Sequence, residues 1–254
     1  MAEIARRQGC SASTVRRRLH ASAIPVRPRG PNVAQRRFGT SGAWSADLAW
    51  VVGLMASDGN LARGGHALSL TSNDIELLDS VRGILGIDNK LGRVCGGWGT
   101  ACHRLQWRDR TFHGWLMEIG LTPRKSLTLG PLAIPDEYFA DFFRGCIDGD
   151  GTILVYTDRH HSARKSTYVY QRLYVSLVSA SRPFLDWVQD TVARLRGVRG
   201  TIYDKSGRRR RPMWTLRYAK RESLRLLPWL YAGPERPFLA RKRARAEPFM
   251  AGPK

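Results

Sequence analysis

The sequence is poor in acid, in lysine and in cysteine, and it has no long apolar run. Against 42 Lys and Arg it carries only 21 Asp and Glu, a formal net charge of +21 over 254 residues. A surplus of that size favours a polyanionic partner. Lysine supplies only 7 of the 42 cations, and arginine the other 35. Arginine's planar fork makes bidentate bonds to phosphate and guanine that a lysine point charge does not. The four cysteines, Cys10, Cys95, Cys102 and Cys146, lack the pattern of a secreted disulfide scaffold and read as reduced thiols. Cys95, Cys102 and His103 fit no zinc-finger spacing and want a fourth ligand. No run of ~18 apolar residues is present to span a bilayer, no amphipathic stretch suggests an anchor, and no leader-like segment opens the sequence. The expectation is a protein of the cytoplasm (in a bacterial or phage context) or of an organelle, not secreted and with no membrane partner.

What is present is a short stretch that occurs twice. The first copy is Val51-Val52-Gly53-Leu54-Met55-Ala56-Ser57-Asp58-Gly59; the second is Phe143-Arg144-Gly145-Cys146-Ile147-Asp148-Gly149-Asp150-Gly151. Both the internal Gly and the Asp-Gly recur at an offset of 92 residues. The residues before Asp58 are apolar almost all round, as in a buried helix. Gly59 and Gly151 are expected to stop the helices in the left-handed conformation. Gly53 and Gly145 lie inside the helices, where glycine costs ~1 kcal/mol against alanine, so close backbone contact between the two copies is expected. Packed side by side, the helices would bring Asp58 and Asp150 together at one end. Like-charge repulsion and two helix C-termini make that spot strongly negative, and a hard divalent cation would relieve it.

These two stretches resemble the LAGLIDADG motif of homing endonucleases, in a single-chain, two-motif form. The internal Gly and the final Asp-Gly match in both copies. The first copy departs at Ala56 and the second at Arg144, Cys146 and Gly149, and both keep the last acid. The likeness runs from about residue 44 to the C-terminus and implies an α+β fold. It would have two pseudo-symmetric αββαββα halves with saddle-shaped antiparallel sheets, plus a short helical N-terminal unit.

The order of elements agrees. Residues 1–26 read as two short helices, Ala2–Arg7 and Ser13–Leu19, and resemble part of a helix-turn-helix, with Ser11 or Ser13 as the cap. Ser13, Thr14, Arg16 and Arg17 would face the major groove or its phosphates. Residues 27–43 read as a basic linker. The first half, 44–122, holds the motif helix, a hairpin turning at Gly64-Gly65, a helix from Ile75 capped by Asn73 or Asp74, a hairpin around Gly96–Gly99, and a closing helix, Thr111–Ile119. Residues 123–135 connect the halves. In the second half, 136–254, the same order repeats, with a longer basic turn from Asp158 to Thr167 absorbing the growth in offset from 92 to 107. His160-His161 in that turn read as a solvated tip, and Arg208–Arg211 as another. Helices around Leu224–Leu230 and a basic tail, Arg241–Arg245, end the chain.

Strand alternation turns Ser69, Thr71, Arg104, Gln106 and Arg108 outward in the first half, and Arg172, Tyr174, Ser176, Thr215 and Arg217 in the second. Such side chains bond base edges, and a β-ribbon fits the major groove. Arg159, Lys165 and Arg209, at hairpin tips, would hold phosphates. The resemblance implies a site-specific double-stranded DNA endonuclease acting as a monomer. It would hydrolyse one phosphodiester per strand, with Mg²⁺ as cofactor, Mn²⁺ substituting, and Ca²⁺ binding without supporting cleavage. Asp58 and Asp150 would hold the metal with the carbonyls of Ser57 and Gly149. Lys220 would be the basic residue of the second half; Asp109 matches it in the first, where Arg108 or Arg110 would substitute. Asn73 would order water, its second-half equivalent being Ala180 or Ser181. Alternatives on the same fold are a DNA-binding transcriptional regulator, which retention of both acids disfavours, and an RNA maturase.

Overall fold

The computed structural model describes residues 2–24, 43–96, 99–159, 169–207, 212–233 and 235–250. The described residues fall into two compact units, one holding 2–24 and the other 43–250.

The first unit is a helix pair, α1 (Ala2–Arg7) and α2 (Ala12–Ala21), joined through Gly9 at φ +55°. Ser11 is the cap of α2: its hydroxyl accepts the Thr14 N–H at 3.1 Å. Ala5 and Val15 are the buried residues of the pair.

In the second unit, α3 (Ala46–Ser57) begins at Ser45, whose hydroxyl accepts the Leu48 N–H at 3.1 Å. It runs into β1 (Gly59–Leu61), followed by β2 (Ala67–Ser72), α4 (Ile75–Ile84), β3 (Gly92–Cys95), β4 (Ala101–Arg108) and α5 (Arg110–Glu118). A tight turn, Lys125–Leu127, follows. The second half repeats the plan. A helical turn at Asp136–Tyr138 leads into α6 (Phe139–Asp148), then β5 (Gly151–Asp158), β6 (Tyr170–Ser179), α7 (Arg182–Arg196), β7 (Thr201–Asp204), β8 (Trp214–Tyr218) and α8 (Lys220–Leu230). The run expected as a basic tail is a further helix, α9 (Ala240–Ala246).

The two antiparallel sheets have the same order, β1-β2-β4-β3 and β5-β6-β8-β7. Register confirms the equivalence: Ser69 pairs with Asn60 and Gln106, and Ser176 with Thr152 and Arg217. The halves differ in one dimension. The β5–β6 ladder runs from Gly151↔Leu177 out to Asp158↔Tyr170, while its counterpart stops at Leu61↔Leu68. The extra length of the second half therefore goes largely into longer strands, not only into the turn between them.

One face of each sheet is buried under helices, through Leu68, Leu70, Leu105 and Trp107 in the first and Leu173, Val175, Leu177 and Leu216 in the second. Each such side chain contributes ~1.5–3 kcal/mol by leaving water. Between the sheets run α3 and α6, buried along nearly their whole lengths. A Cβ on Gly53 would meet the Phe142 carbonyl oxygen at 2.1 Å, and one on Gly145 the Trp50 oxygen at 2.2 Å. Only glycine lets these backbones meet.

Gly59 and Gly151 have a different role from the expected one. Neither adopts positive φ; each is the first residue of a strand. A Cβ on Gly59 would lie 2.5 Å from Met55 Cα, and one on Gly151 2.5 Å from Ile147 Cα. The glycine is required because the strand folds straight back against its helix, not because the helix ends in a left-handed turn.

Candidate functional site

Helices α3 and α6 deliver Asp58 and Asp150 to the same place. The two carboxyls share a hydrogen bond, and a Cβ on Gly149 would lie 2.6 Å from Asp58 Oδ2 and 2.1 Å from Ser57 Oγ. Gly149 is thus small so that the acid of the other half can pass over it. Both acids keep an exposed surface, yet protein packs densely about the pair. That surrounding raises the Asp58 carboxyl to about 7, and the charge of Asp150 adds to the effect. Asp150 is raised as well, chiefly by the same burial. Two carboxyls this close share a proton when nothing else lies between them.

Two cations oppose the rise, Lys125 and Lys242, and neither was among the residues expected here. Lys125 is buried, and its Nζ donates to the carbonyls of Gly59 at 2.5 Å and Ser57 at 3.5 Å. Lys242, on α9, is buried in the equivalent place. Its Nζ donates to Ile147 at 2.6 Å, Asp148 at 2.8 Å, Gly149 at 3.0 Å and Gly151 at 2.8 Å. Each lysine satisfies the orphan carbonyls at the end of one motif helix, where a cation also meets the negative end of the helix dipole. Burial lowers both ammonium groups, Lys242 to about 8, while the neighbouring acids act to raise them. A sequence signal existed. In a chain with 7 lysines, an Arg-Lys pair, 124–125 and 241–242, stands a few residues after a proline beyond the last sheet of each half.

The cations whose charge bears on the two carboxyls are Lys125 and Lys242; Lys220 is exposed and opens α8. Its register equivalent, Asp109, caps α5 by accepting the Phe112 N–H at 2.9 Å, which explains an acid at that position. Asn73 lies just before α4, where its Oδ1 accepts from the Cys102 thiol at 2.6 Å. Next to it Asp74 forms a bidentate ion pair with Arg241, at 2.9 and 2.8 Å, which ties the first half to α9 beside Lys242. Asp148, the sixth residue of the second motif, is buried. Its Oδ2 accepts the Trp50 indole N–H at 2.8 Å and the Leu239 N–H at 3.0 Å, joining both motif helices to the start of α9.

The outward strand residues take the places alternation assigns. Arg104, Gln106 and Arg108 are exposed along β4; Ser69 and Thr71 are half-buried beside them, with Arg104 Nε donating to Thr71 Oγ1 at 3.2 Å. In the second sheet Arg217 is exposed, and Arg172, Tyr174 and Ser176 are half-buried. Thr215 is a correction: it shares that face but is 2% exposed and offers nothing to solvent. Arg159 is exposed just past β5, while Lys165 and Arg209 lie outside the described residues, as do His160, His161 and the linker over 27–42. In the first unit, the Ser13 and Thr14 hydroxyls bond Ser11, and Arg16 and Arg17 follow on the same helix.

The donor set at the helix ends fits a hard divalent cation. It offers two carboxylates close enough to share a proton, flanked by the carbonyls of Ser57 and Gly149. No helix among the described residues is long and apolar enough to cross a membrane.

Residues 137–227 match the family model described as a LAGLIDADG-like domain. No curated protein matches the chain in sequence. Among solved structures, the homing endonuclease I-WcaI bound to its DNA recognition sequence is similar over 85% of this chain and 94% of its own, with a TM-score of 0.55 at 9% identity. The I-LtrWI LAGLIDADG homing endonuclease bound to target DNA is similar over 80% and 88%, with 0.53 at 9%. Mesophilic variants of the homing endonuclease I-DmoI are similar over 78% and 96%, with 0.51 at 14%. At these identities the shared property is the fold. Residues 137–227 thus carry a LAGLIDADG-like domain, and the two-sheet architecture around paired helices is the fold of these homing endonucleases.

Proposed function

We propose that this protein is a site-specific endonuclease of double-stranded DNA that acts as a monomer and cuts one phosphodiester in each strand. The observation that carries the reading is the pair Asp58 and Asp150, brought into hydrogen-bond contact at two helix ends and flanked by two buried lysines. Like charges at that distance are stable only with a proton or a cation between them. When bound, a divalent cation such as Mg²⁺ supplies Lewis acidity toward water and the scissile phosphate. The two carboxylates would hold it. Ser57 and Gly149 can each add a carbonyl oxygen, since an oxygen that accepts one lysine bond keeps a second lone pair. Lys125 and Lys242 hold the helix ends in place and set a positive field at the centre, where phosphate charge builds. Arg-rich strand faces position the duplex and contact base edges. Arg16 and Arg17 of α2 add phosphate contacts from the N-terminal unit, here taken as a partial helix-turn-helix over 1–26, ahead of halves at 44–122 and 136–254. Action on DNA fits a cytoplasmic or organellar location.

The solved homing endonucleases of the same fold that are bound to DNA support the reading. The test is cleavage of a selected duplex with Mg²⁺, with Ca²⁺ as the binding control. Asp58→Asn and Asp150→Asn should each abolish double-strand cleavage and leave binding in place. Cleavage at wild-type rate by either variant would overturn the assignment.

A further inference from the structure

The two open sheet faces differ in chemistry. On the first, Arg104, Gln106 and Arg108 alternate along β4. The Gln106 and Arg108 side chains make no hydrogen bond among the described residues, and no exposed large apolar side chain lies in that sheet. On the second, the stretch by which β5 and β6 outrun their counterparts carries Leu154, Tyr156 and Tyr170, exposed by 43%, 45% and 48%. Tyr156 stacks on Tyr174 at 6.4 Å between ring centroids. Of the two arginines there, Arg172 is engaged. It bonds Asp158 at 3.0 Å and lies 5.5 Å from the Tyr170 ring centre. Arg217 is held between Tyr174 and Tyr203, at 5.1 and 4.9 Å, and its side chain makes no hydrogen bond among the described residues.

We propose that the two sheets read their half-sites by opposite chemistry: the first by hydrogen bonds to purine edges, the second by apolar contact with thymine methyl groups around a single guanine held by Arg217. The inference rests on the reading of these faces as the DNA interface. Its physical ground is the major groove itself, whose one apolar feature is the thymine 5-methyl. Guanine N7 and O6 suit arginine, and adenine N7 and N6 suit glutamine. Alternate strand residues advance by roughly 6.8 Å, about two base-pair steps, so Arg104, Gln106 and Arg108 address purines at every second base pair without crowding. On the other sheet, Leu154 and Tyr156 have the same spacing and no hydrogen-bonding group at Leu154 to read a polar edge. An exposed apolar strip normally marks a docking surface. Here it is continuous with Arg217 on one face of a chain with a net charge of +21, which favours a polyanion over an apolar protein partner.

The test uses the full chain and a duplex it selects from a randomised library in Ca²⁺. Thymines are replaced by deoxyuridine, or guanines by 7-deazaguanine, in one half-site at a time, and binding is measured by competition. Deoxyuridine in one half-site should weaken binding about threefold or more per contacted thymine, as expected for an uncovered methyl. In the other half-site it should have no effect, and there 7-deazaguanine should cost roughly tenfold. Leu154→Ala with Tyr156→Ala should remove the deoxyuridine effect, and Arg108→Ala should reduce the 7-deazaguanine effect; both sites are exposed, so folding is not at stake. Equal or absent deoxyuridine effects in the two halves, or an effect unchanged by the Leu154 and Tyr156 substitutions, would overturn the inference while leaving DNA binding intact. Failure to select any duplex would overturn the DNA-binding reading itself, and this inference with it.

Discussion

Gly53 and Gly145 face each other where α3 and α6 cross: a Cβ added to Gly145 would sit 3.0 Å from Gly53 Cα and 2.2 Å from the Trp50 carbonyl oxygen. The neighbours are backbone atoms of buried helices, which cannot rotate aside. The crossing also sets the separation of Asp58 and Asp150, so packing and chemistry depend on the same two residues.

Gly145→Ala should therefore cost about 2–4 kcal/mol of stability, as overpacking against backbone does. Urea unfolding measures it. A loss below about 0.5 kcal/mol would mean that the helices part easily and that the close crossing is not needed.

The two buried lysines and the exposed one should behave oppositely. Lys242→Met strands four carbonyls at the end of α6 and should destabilise by about 2–4 kcal/mol, at a cost of ~1–3 kcal/mol for each buried acceptor not rescued by water. It should also lower the cleavage rate. Lys125→Met should do the same at α3, with a smaller stability loss because only two carbonyls accept. Lys220→Ala should leave both properties near wild type. A rate loss in the Lys220 variant without one in the other two would restore Lys220 to the site.

Arg144 stands where the first motif copy has Val52. It is 1% exposed and donates to Asp141 at 2.6 Å, to the Leu230 carbonyl at 2.5 Å and to the Pro237 carbonyl at 2.8 Å, while Asp141 also pairs with Arg236. Arg144→Met should cost about 3–5 kcal/mol, the usual penalty for breaking a buried ion pair on one side. Thermal unfolding should show it as a clear fall in Tm, and an unchanged Tm would mean that water replaces the guanidinium.

Asp74 lends itself to a pH experiment. Its hydrogen bonds from Arg241 hold its carboxyl below the ordinary value of 3.8. A group lowered in the folded state stabilises fully above its unfolded value and loses that contribution as pH falls through the folded one. The pair is partly solvated, so about 0.5–1 kcal/mol is expected. Asp74→Asn should then be less stable than wild type at pH 7, and the gap should close as pH drops below 3.8. A gap that is constant with pH would show that the charge on Asp74 contributes nothing.

The sequence by itself determined the repeat, the buried character of both motif helices, the two acids at their ends and the alternation that builds the sheets. Each is written locally, in a glycine-marked apolar run or a period of two, and the equal register of Ser69 and Ser176 follows from it. Only the tertiary structure decided which basic residues meet the acids. Lys125 reaches a helix end 66 residues away from it in sequence, and Lys242 one 91 residues away. No local pattern distinguishes a lysine that will lie beneath stranded carbonyls from one in a solvated run. The same holds for Gly59 and Gly151, whose need for glycine is a strand lying against its own helix, and for Thr215, which alternation turns outward and packing covers. Periodicity specifies which face a residue takes; what fills the space above that face depends on segments that meet it only after the chain has closed.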